Sequence, residues 1–137
     1  MEPEGRDIQS YRDLKVWQKA MDLIVECYKL TEKLPPSENF GLTSGIRRAA
    51  TLVASYIADG KGRNITAEYL QKLSAASGSL KVVETQVLVV DRLKYLPMSE
   101  LEPSLVSARA FVDGGLRGHR RETLGHGPPR FAVRLRA

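Results

Sequence analysis

The stretch EYLQKLSAASGSLKVVETQVLVVDRLKYL, residues 68–96, decides the fold of this chain. Its apolar and small residues recur in steps that alternate between four and three along the whole segment. This spacing places them on one face of a helix and is typical of helices that pack side by side in a bundle. The face comprises Tyr69, Leu73, Ala76, Leu80, Val83, Val87 and Val90. We therefore predict one long helix, from near Thr66 to Leu96, packed against other helices.

A second helix is predicted upstream, from Tyr11 to Leu34, where two prolines end it. Ser10 and Asp13 have the spacing of a capping box at its start. The apolar residues of this helix form two seams that together span about 180° of its surface. A small bundle does not need so wide an apolar face, so we expect part of it to contact a second surface, such as another subunit.

Two shorter helices complete the predicted bundle. One covers residues 42–59, and Gly60 is placed to end it as a left-handed cap. The other opens at Ser99, which has capping-box spacing with the glutamate three residues later, and ends at Gly114-Gly115. Its predicted seam is Leu101, Leu105, Ala108 and Val112. The sequence thus predicts an all-α, antiparallel up-down four-helix bundle with a short fourth helix.

The chain divides into three segments by composition. Residues 1–9 are a polar extension, residues 10–113 form the bundle, and residues 114–137 are a tail rich in arginine and glycine. The tail has no helical seam, and every basic residue after Lys94 is an arginine. We interpret it as irregular and disordered, or as a C-terminus altered by a change of reading frame.

Composition argues against several classes of protein. The single cysteine, Cys27, cannot form an intrachain disulfide, and both histidines lie in the tail. Neither a catalytic Ser/His/Asp or Cys/His set nor a metal site can be assembled from the bundle, so we expect a non-enzymatic protein without a cofactor. The N-terminus has no apolar signal-peptide core, and no uninterrupted apolar run reaches the roughly 20 residues of a membrane span. We expect a cytoplasmic location without membrane contact.

The net charge of +5 and the pI of 9.5 are compatible with a nucleic-acid partner. The charge is unevenly distributed, however. Residues 1–96 carry 14 Lys and Arg against 12 Asp and Glu, whereas residues 97–137 carry 7 against 4. The part predicted to form the bundle is therefore nearly neutral.

Three motifs resemble one known family. YRDLKVWQKAMDLIVECYKLT at 11–31 is similar to its first helix, GLTSGIRRAATLVASYIADGKGR at 41–63 to its second helix and glycine turn, and residues 68–96 to its long third helix. This is the bacterial four-helix bundle family that includes the proteins encoded in 23S rRNA intervening sequences. The accessory variability protein of diversity-generating retroelements is a relative.

The resemblance implies a bundle that assembles into a ring, typically a homopentamer, and that binds structured RNA or DNA through basic surface residues. The candidates in this sequence are Lys15, Lys19, Arg47, Arg48, Lys61, Arg63 and Lys72. Contact with phosphates would be electrostatic and weakened by salt. The family's fourth helix normally continues towards the C-terminus, and the predicted break at Gly114-Gly115 departs from that pattern.

Several candidates also have structural interpretations. Arg47 and Arg48 differ by about 100° around their helix, so they cannot share one role, and at least one is expected in an ion pair, either internal with Glu84 or between subunits. Lys61 and Arg63 lie in a tight turn between helices. For the whole protein, the alternative to nucleic-acid binding is a protein-interaction scaffold that docks a partner enzyme, such as a reverse transcriptase. The near-neutral bundle favours that alternative.

Overall fold

The structure, a computed structural model, describes residues 10–126, and within this range the chain is helical and contains no strand. Its α-helices are α1 (Lys15–Thr31), α2 (Ser44–Lys61), α3 (Thr66–Arg92), α4 (Met98–Ala110) and α5 (Arg117–His126). A π-helical turn, Phe111–Leu116, joins α4 to α5, so these two helices together form the fourth column of the bundle. The predicted all-α four-helix bundle is confirmed. The expectations for residues 1–9 and 127–137 lie outside the described residues.

Successive helices pack as neighbours. α1 contacts α2 and α4, α2 contacts α3, and α3 also contacts α4 and α5. Because the connections are short, consecutive columns run antiparallel. The starts of α1 and α3 therefore lie at one end of the bundle, together with the end of α2 and with α5. The opposite end, which we call the turn end, is formed by the connections at residues 32–43 and 93–97.

The core consists of one inward seam from each helix. The predicted α3 seam is buried from Leu73 to Val90, where every member is at most 1% exposed. In α1, only one of the two predicted seams is buried, at Val16, Ala20, Leu23, Cys27 and Leu30. In the other seam, Trp17 and Ile24 are half-buried, whereas Met21 is 38% and Tyr28 41% exposed. The bundle thus leaves part of the apolar face of α1 uncovered.

The start of the first helix differs from the prediction in detail. The Ser10–Asp13 capping box is present, with the Ser10 hydroxyl accepting a hydrogen bond from the Arg12 N–H at 3.1 Å. It caps a short 3₁₀ turn, Tyr11–Asp13, and Leu14 is then extended, so α1 begins at Lys15. Leu14 is 4% exposed, and its burial accounts for the bend between the two helical pieces.

The prediction that Gly60 caps α2 in a left-handed conformation is wrong. α2 continues to Lys61, and Gly60 is a buried helical residue. A Cβ atom at Gly60 would lie 2.6 Å from Cδ1 of Tyr69 and 2.8 Å from Cβ of Lys72. The glycine is therefore required for close packing of α2 on α3, since no side chain fits between them.

The boundary between the third and fourth columns is also shifted. α3 ends at Arg92 instead of Leu96, and Lys94 adopts a left-handed conformation with φ of 62°. α4 begins at Met98, directly after Pro97, without a side-chain cap. Proline restricts the residue before it to extended conformations, so the chain must leave the helix upstream of Pro97. The predicted capping box at Ser99 does not form.

The predicted end of the fourth helix at Gly114-Gly115 is wrong as well. The helical path continues through the π turn into α5, so residues 114–126 are not irregular. A Cβ at Gly115 would lie 3.1 Å from Cδ of Lys19 and 3.6 Å from Cγ2 of Val16. Close packing against α1 therefore outweighs the poor helix propensity of glycine. Phe111 and Leu116, which flank this contact, are both buried.

By length and composition alone, α3 is apolar enough to cross a membrane. A core helix of a bundle passes the same test. Here the inward seam of α3 packs on α2, and the apolar character of the seam is explained by that packing. Part of the remaining apolar surface of α3 is exposed, at Val82, Leu88 and Val89.

Candidate nucleic-acid interface

Five of the seven candidate cations lie at the same end of the bundle. Lys15 and Lys19 are in the first two turns of α1, Lys61 and Arg63 are at the end of α2, and Lys72 is in the second turn of α3. Antiparallel packing brings these three chain segments together, although they are far apart in sequence. We call the surface formed by these five residues and the arginines of α5 the basic end.

α5 adds three arginines that the sequence prediction missed. Arg117, Arg120 and Arg121 lie in its first two turns, and all three are exposed. They were missed because residues 114–137 were interpreted as an irregular tail. A signal was present nevertheless. Buried residues of the fourth column recur in alternating steps of three and four up to the second glycine: Leu101, Ser104, Ala108, Phe111 and Gly115. The prediction followed Leu105 and Val112 instead, because Ser104 and Gly115 are not apolar.

Two contacts between α5 and α3 hold these arginines in place. The hydroxyl of Tyr69 is hydrogen-bonded to Nε2 of His119, and the two rings meet edge to face with centroids 5.4 Å apart. One turn further along α3, the Arg120 guanidinium donates a hydrogen bond to Oγ of Ser74 at 3.1 Å. Burial raises the pKa of Tyr69 to about 12, so its hydroxyl stays protonated at physiological pH.

A carboxylate lies among the cations of the basic end. Asp59 accepts hydrogen bonds from the Arg63 guanidinium at 3.1 and 3.2 Å, and its Oδ2 lies 3.0 Å from Nζ of Lys72. The Lys72 ammonium, followed by the Arg63 guanidinium, holds the pKa of Asp59 below its usual range. Lys72 also lies 5.7 Å above the centroid of the Tyr56 ring. Two of the candidate cations thus share one carboxylate, which offsets one of their two positive charges.

The other cations of the basic end are less constrained. Among the described side chains, Lys15, Lys61 and Arg121 have no carboxylate within ion-pair distance, and Lys19 and Arg120 likewise have none. Arg117 lies 3.6 Å from Asp113 in an exposed pair, which contributes little stability. A surface with several unpaired cations on three helices suits a polyanion better than a small ligand.

The two remaining candidates are at the turn end. Arg47 is held against α1, where its Nε donates to Oγ1 of Thr31 at 2.8 Å and its guanidinium lies 4.3 Å from the centroid of the Tyr28 ring. The predicted structural role of one arginine is therefore supported, but its partners are Thr31 and Tyr28 instead of Glu84. Arg48 points away from these contacts and is exposed.

Polar contacts at the turn end fasten the turns. Oε1 of Glu38 accepts from the Leu42 N–H at 2.9 Å, and its Oε2 accepts from the Tyr95 hydroxyl at 2.8 Å, which joins the two connections. Lys33, in the first of these connections, forms an ion pair with Glu100 in the first turn of α4. Beside these contacts the Phe40 side chain is 98% exposed.

The chemistry of the described residues is limited. Among the side chains that the structure describes, no three from His, Cys, Asp and Glu are close enough to share a metal ion. Cys27 is buried in the core, and burial raises the pKa of its thiol to about 12. An unionised thiol is a poor nucleophile, so this cysteine is suited to packing.

Comparison with known proteins agrees with the fold. The model of the 23S rRNA-intervening sequence protein family matches residues 12–110 and ends at the last residue of α4. A solved structure from Bacteroides thetaiotaomicron, described as a protein of unknown function from the S23 ribosomal protein family, superposes with a TM-score of 0.64. The two sequences are 16% identical, and the alignment covers 80% of this chain and 95% of the other. That likeness concerns the fold.

No curated protein matches the chain. The relation to the accessory variability protein of retroelements is not among these findings and stays a prediction. The family match spans α1 to α4 and includes all seven candidate cations, while the arginines of α5 lie beyond it. On this evidence the chain belongs to the 23S rRNA-intervening sequence protein family.

Proposed function

We propose that this protein is a non-enzymatic, nucleic-acid-binding bundle, and that its basic end contacts the phosphate backbone of structured RNA or DNA. The observation that carries the proposal is the convergence of cations from α1, α2 and α5, where Lys15, Lys61 and Arg121 have no neutralising carboxylate among the described side chains. Such a surface contacts phosphates without reading bases, so affinity depends strongly on salt and weakly on sequence.

The test is a titration of a fluorescent RNA hairpin at several salt concentrations. The variant reverses three unpaired cations of the basic end: Lys15→Glu, Lys61→Glu and Arg121→Glu. Each lost phosphate contact reduces the magnitude of the slope of log binding constant against log salt concentration by about 0.9. For the triple variant we therefore expect a slope smaller in magnitude by roughly 2.7, and binding at least a hundredfold weaker at ~0.1 M salt.

A matched control reverses three exposed cations outside the basic end: Arg48→Glu, Lys81→Glu and Arg92→Glu. It changes the net charge of the protein by the same amount. If both triple variants weaken binding equally, net charge and not the basic end determines affinity. If the wild-type protein does not bind the hairpin at low salt, the proposal is wrong.

A second candidate function is docking of a partner protein, such as a reverse transcriptase, and one observation favours it. Phe40 is 98% exposed on a connection that Glu38 fastens to Leu42 and Tyr95. An aromatic side chain on a fixed turn is a typical anchor of a protein interface. A reverse transcriptase encoded beside this gene would provide the test pair. Phe40→Ser should abolish its binding, whereas the triple reversal at the basic end should not.

Self-association is part of the proposal, and the partly uncovered seam of α1 supports it. Met21, Val25 and Tyr28 are 38 to 50% exposed, and Met21 and Tyr28 line an apolar groove that α1 forms with α2 near Thr51 and Ser55. A pentameric ring is the arrangement that the resemblance implies. Light scattering at micromolar concentration should give five times the chain mass, and Val25→Glu should lower it. A monomeric wild-type protein would exclude the ring.

A further inference from the structure

The contacts of Asp59 indicate a mechanism that limits the affinity of the basic end for nucleic acid. This carboxylate occupies the space between the Arg63 guanidinium and the Lys72 ammonium, at 3.1 and 3.0 Å. A phosphate oxygen makes the same charge-assisted hydrogen bonds with these groups. Asp59 is itself 44% exposed in its side chain, so the cluster lies at the surface where a ligand can reach it.

The backbone fixes this arrangement. Asp59 is in the last turn of α2, immediately before Gly60, where α2 and α3 are too close for a side chain. That close packing sets the Asp59 carboxylate opposite Lys72 on α3, and Arg63 reaches back across one turn of chain to the same carboxylate. Asp59 therefore lies beside both cations in the free protein.

We propose that Asp59 is an internal competitor of nucleic-acid phosphate: in the free protein it occupies hydrogen-bond donors of Arg63 and Lys72, offsets one of their two positive charges, and so restrains the affinity of the basic end. The inference rests on the proposed function. A phosphate that approaches Arg63 or Lys72 must displace Asp59 or accept its repulsion. Binding is then carried mainly by the unpaired cations, and the complex releases fewer counterions than the number of basic residues implies.

The experiment compares Asp59→Asn with Glu68→Gln in the RNA hairpin titration. Both substitutions remove one negative charge from the same end, but Glu68 is an exposed residue of the first turn of α3 without an ion pair among the described residues. Asp59→Asn should bind the hairpin more tightly than Glu68→Gln, by about eightfold at ~0.1 M salt for each cation that gains a phosphate contact. For each such contact, the slope of log binding constant against log salt concentration should become steeper by ~0.9.

The opposite result would overturn the inference. If Asp59 instead positions Arg63 and Lys72 for the phosphate, Asp59→Asn weakens binding. Affinity equal to that of Glu68→Gln would show that only net charge matters. Failure of the wild-type protein to bind at all would count against the proposed function, and the two failures are therefore distinguishable.

A second comparison does not depend on the stability of the Asp59 variant. In the wild-type background, Arg63→Gln should change affinity less than twofold, because Asp59 already occupies the guanidinium. Lys61→Gln should weaken binding by about eightfold at ~0.1 M salt. Equal losses in the two variants would show that Arg63 is available to phosphate and that Asp59 does not compete for it. Far-UV circular dichroism of each variant checks that the helices are intact.

Discussion

The two ends of this bundle have the same fold but use their charged residues differently. At the turn end, the carboxylates of Glu38 and Glu100 are bonded to groups on neighbouring connections, and they fasten the turns. At the basic end, close packing at Gly60 and Gly115 holds the helices together, and most cations have no carboxylate partner in the described structure.

This difference explains how a nearly neutral bundle can present a basic surface. Where backbone contact at glycines supplies the packing, side-chain charges are not needed to hold the helices together. The cations at that end are then available for a partner, apart from those that share the Asp59 carboxylate. The distribution of charge, rather than its total, distinguishes the ends.

The largest expected effect comes from breaking the core that joins the two ends. Val83→Asp would bury a carboxylate without a partner at a site that is 1% exposed, and we expect a loss of more than ~3 kcal/mol in the free energy of unfolding. Thermal unfolding followed by circular dichroism measures it. Val82→Asp is the control, since Val82 is 48% exposed. Equal stability of the two variants would show that the α3 seam is wrongly placed.

The next effect concerns the packing of the basic end. Gly60→Val would place methyl groups where Tyr69 and Lys72 already lie, and overpacking of this kind costs about 1–3 kcal/mol. Gly62→Ala is the matched control, because the nearest atom to its Cβ, the Asp59 carbonyl oxygen, is at an ordinary distance of 3.5 Å. Urea unfolding of both variants tests whether the glycine at position 60 is a packing requirement. A Gly60→Val protein as stable as the wild type would contradict it.

A smaller effect is expected at the turn end, where a substitution should change thermal stability in a pH-dependent way. The Leu42 N–H, followed by the Tyr95 hydroxyl, lowers the pKa of Glu38 below its ordinary value of 4.5. A carboxyl group whose pKa is lower in the folded than in the unfolded state stabilises the fold at pH values above its unfolded-state pKa. This contribution is lost as the pH falls through the folded-state pKa. Glu38→Gln should therefore lower the Tm at pH 7, and the difference from the wild type should shrink near pH 3. A difference that does not depend on pH would exclude ionisation of Glu38 as its cause.

The smallest expected effect is on the reactivity of Cys27. Because burial raises the pKa of its thiol to about 12, a thiol reagent should modify the native protein very slowly at pH 8 and the urea-unfolded protein rapidly. The triple reversal at the basic end should not change the native rate, since Cys27 lies in the half of α1 nearer the turn end. A faster native rate in that variant would show that the two ends are coupled through α1.

The long-range features of the fold could be predicted because they follow from periodic burial. The α3 seam alternates in steps of four and three, and every predicted member from Leu73 to Val90 is buried. The helix boundaries were less predictable, because Gly60 and Gly115 end helices by intrinsic propensity but serve here as contact points between columns. A glycine that breaks a helix and one that admits a neighbouring helix look alike in a sequence.

The candidate site could also be predicted only in part, because a sequence shows the residues but not their neighbours. The cations themselves were identified from sequence, but their partners depend on which helices meet. Arg63 and Lys72 are separated by nine positions and share one carboxylate, while Arg47 meets Thr31 of another helix. The three arginines of α5 were missed because the fourth column continues on a seam that includes a serine and a glycine.

The π turn at Phe111–Leu116 has a consequence for how the direction of a surface is inherited. A π turn accommodates one residue more than an α turn, and one residue corresponds to about 100° of rotation around a helix. The turn thus absorbs one residue, and the helix beyond it keeps the direction that a regular α turn with one residue fewer would give. Deleting one residue from this turn would let it become α-helical and would leave Arg117, Arg120 and Arg121 on the same side of the bundle. Inserting a residue into α5 ahead of Arg120, where no such turn absorbs it, would instead rotate Arg120 and Arg121 by about 100°.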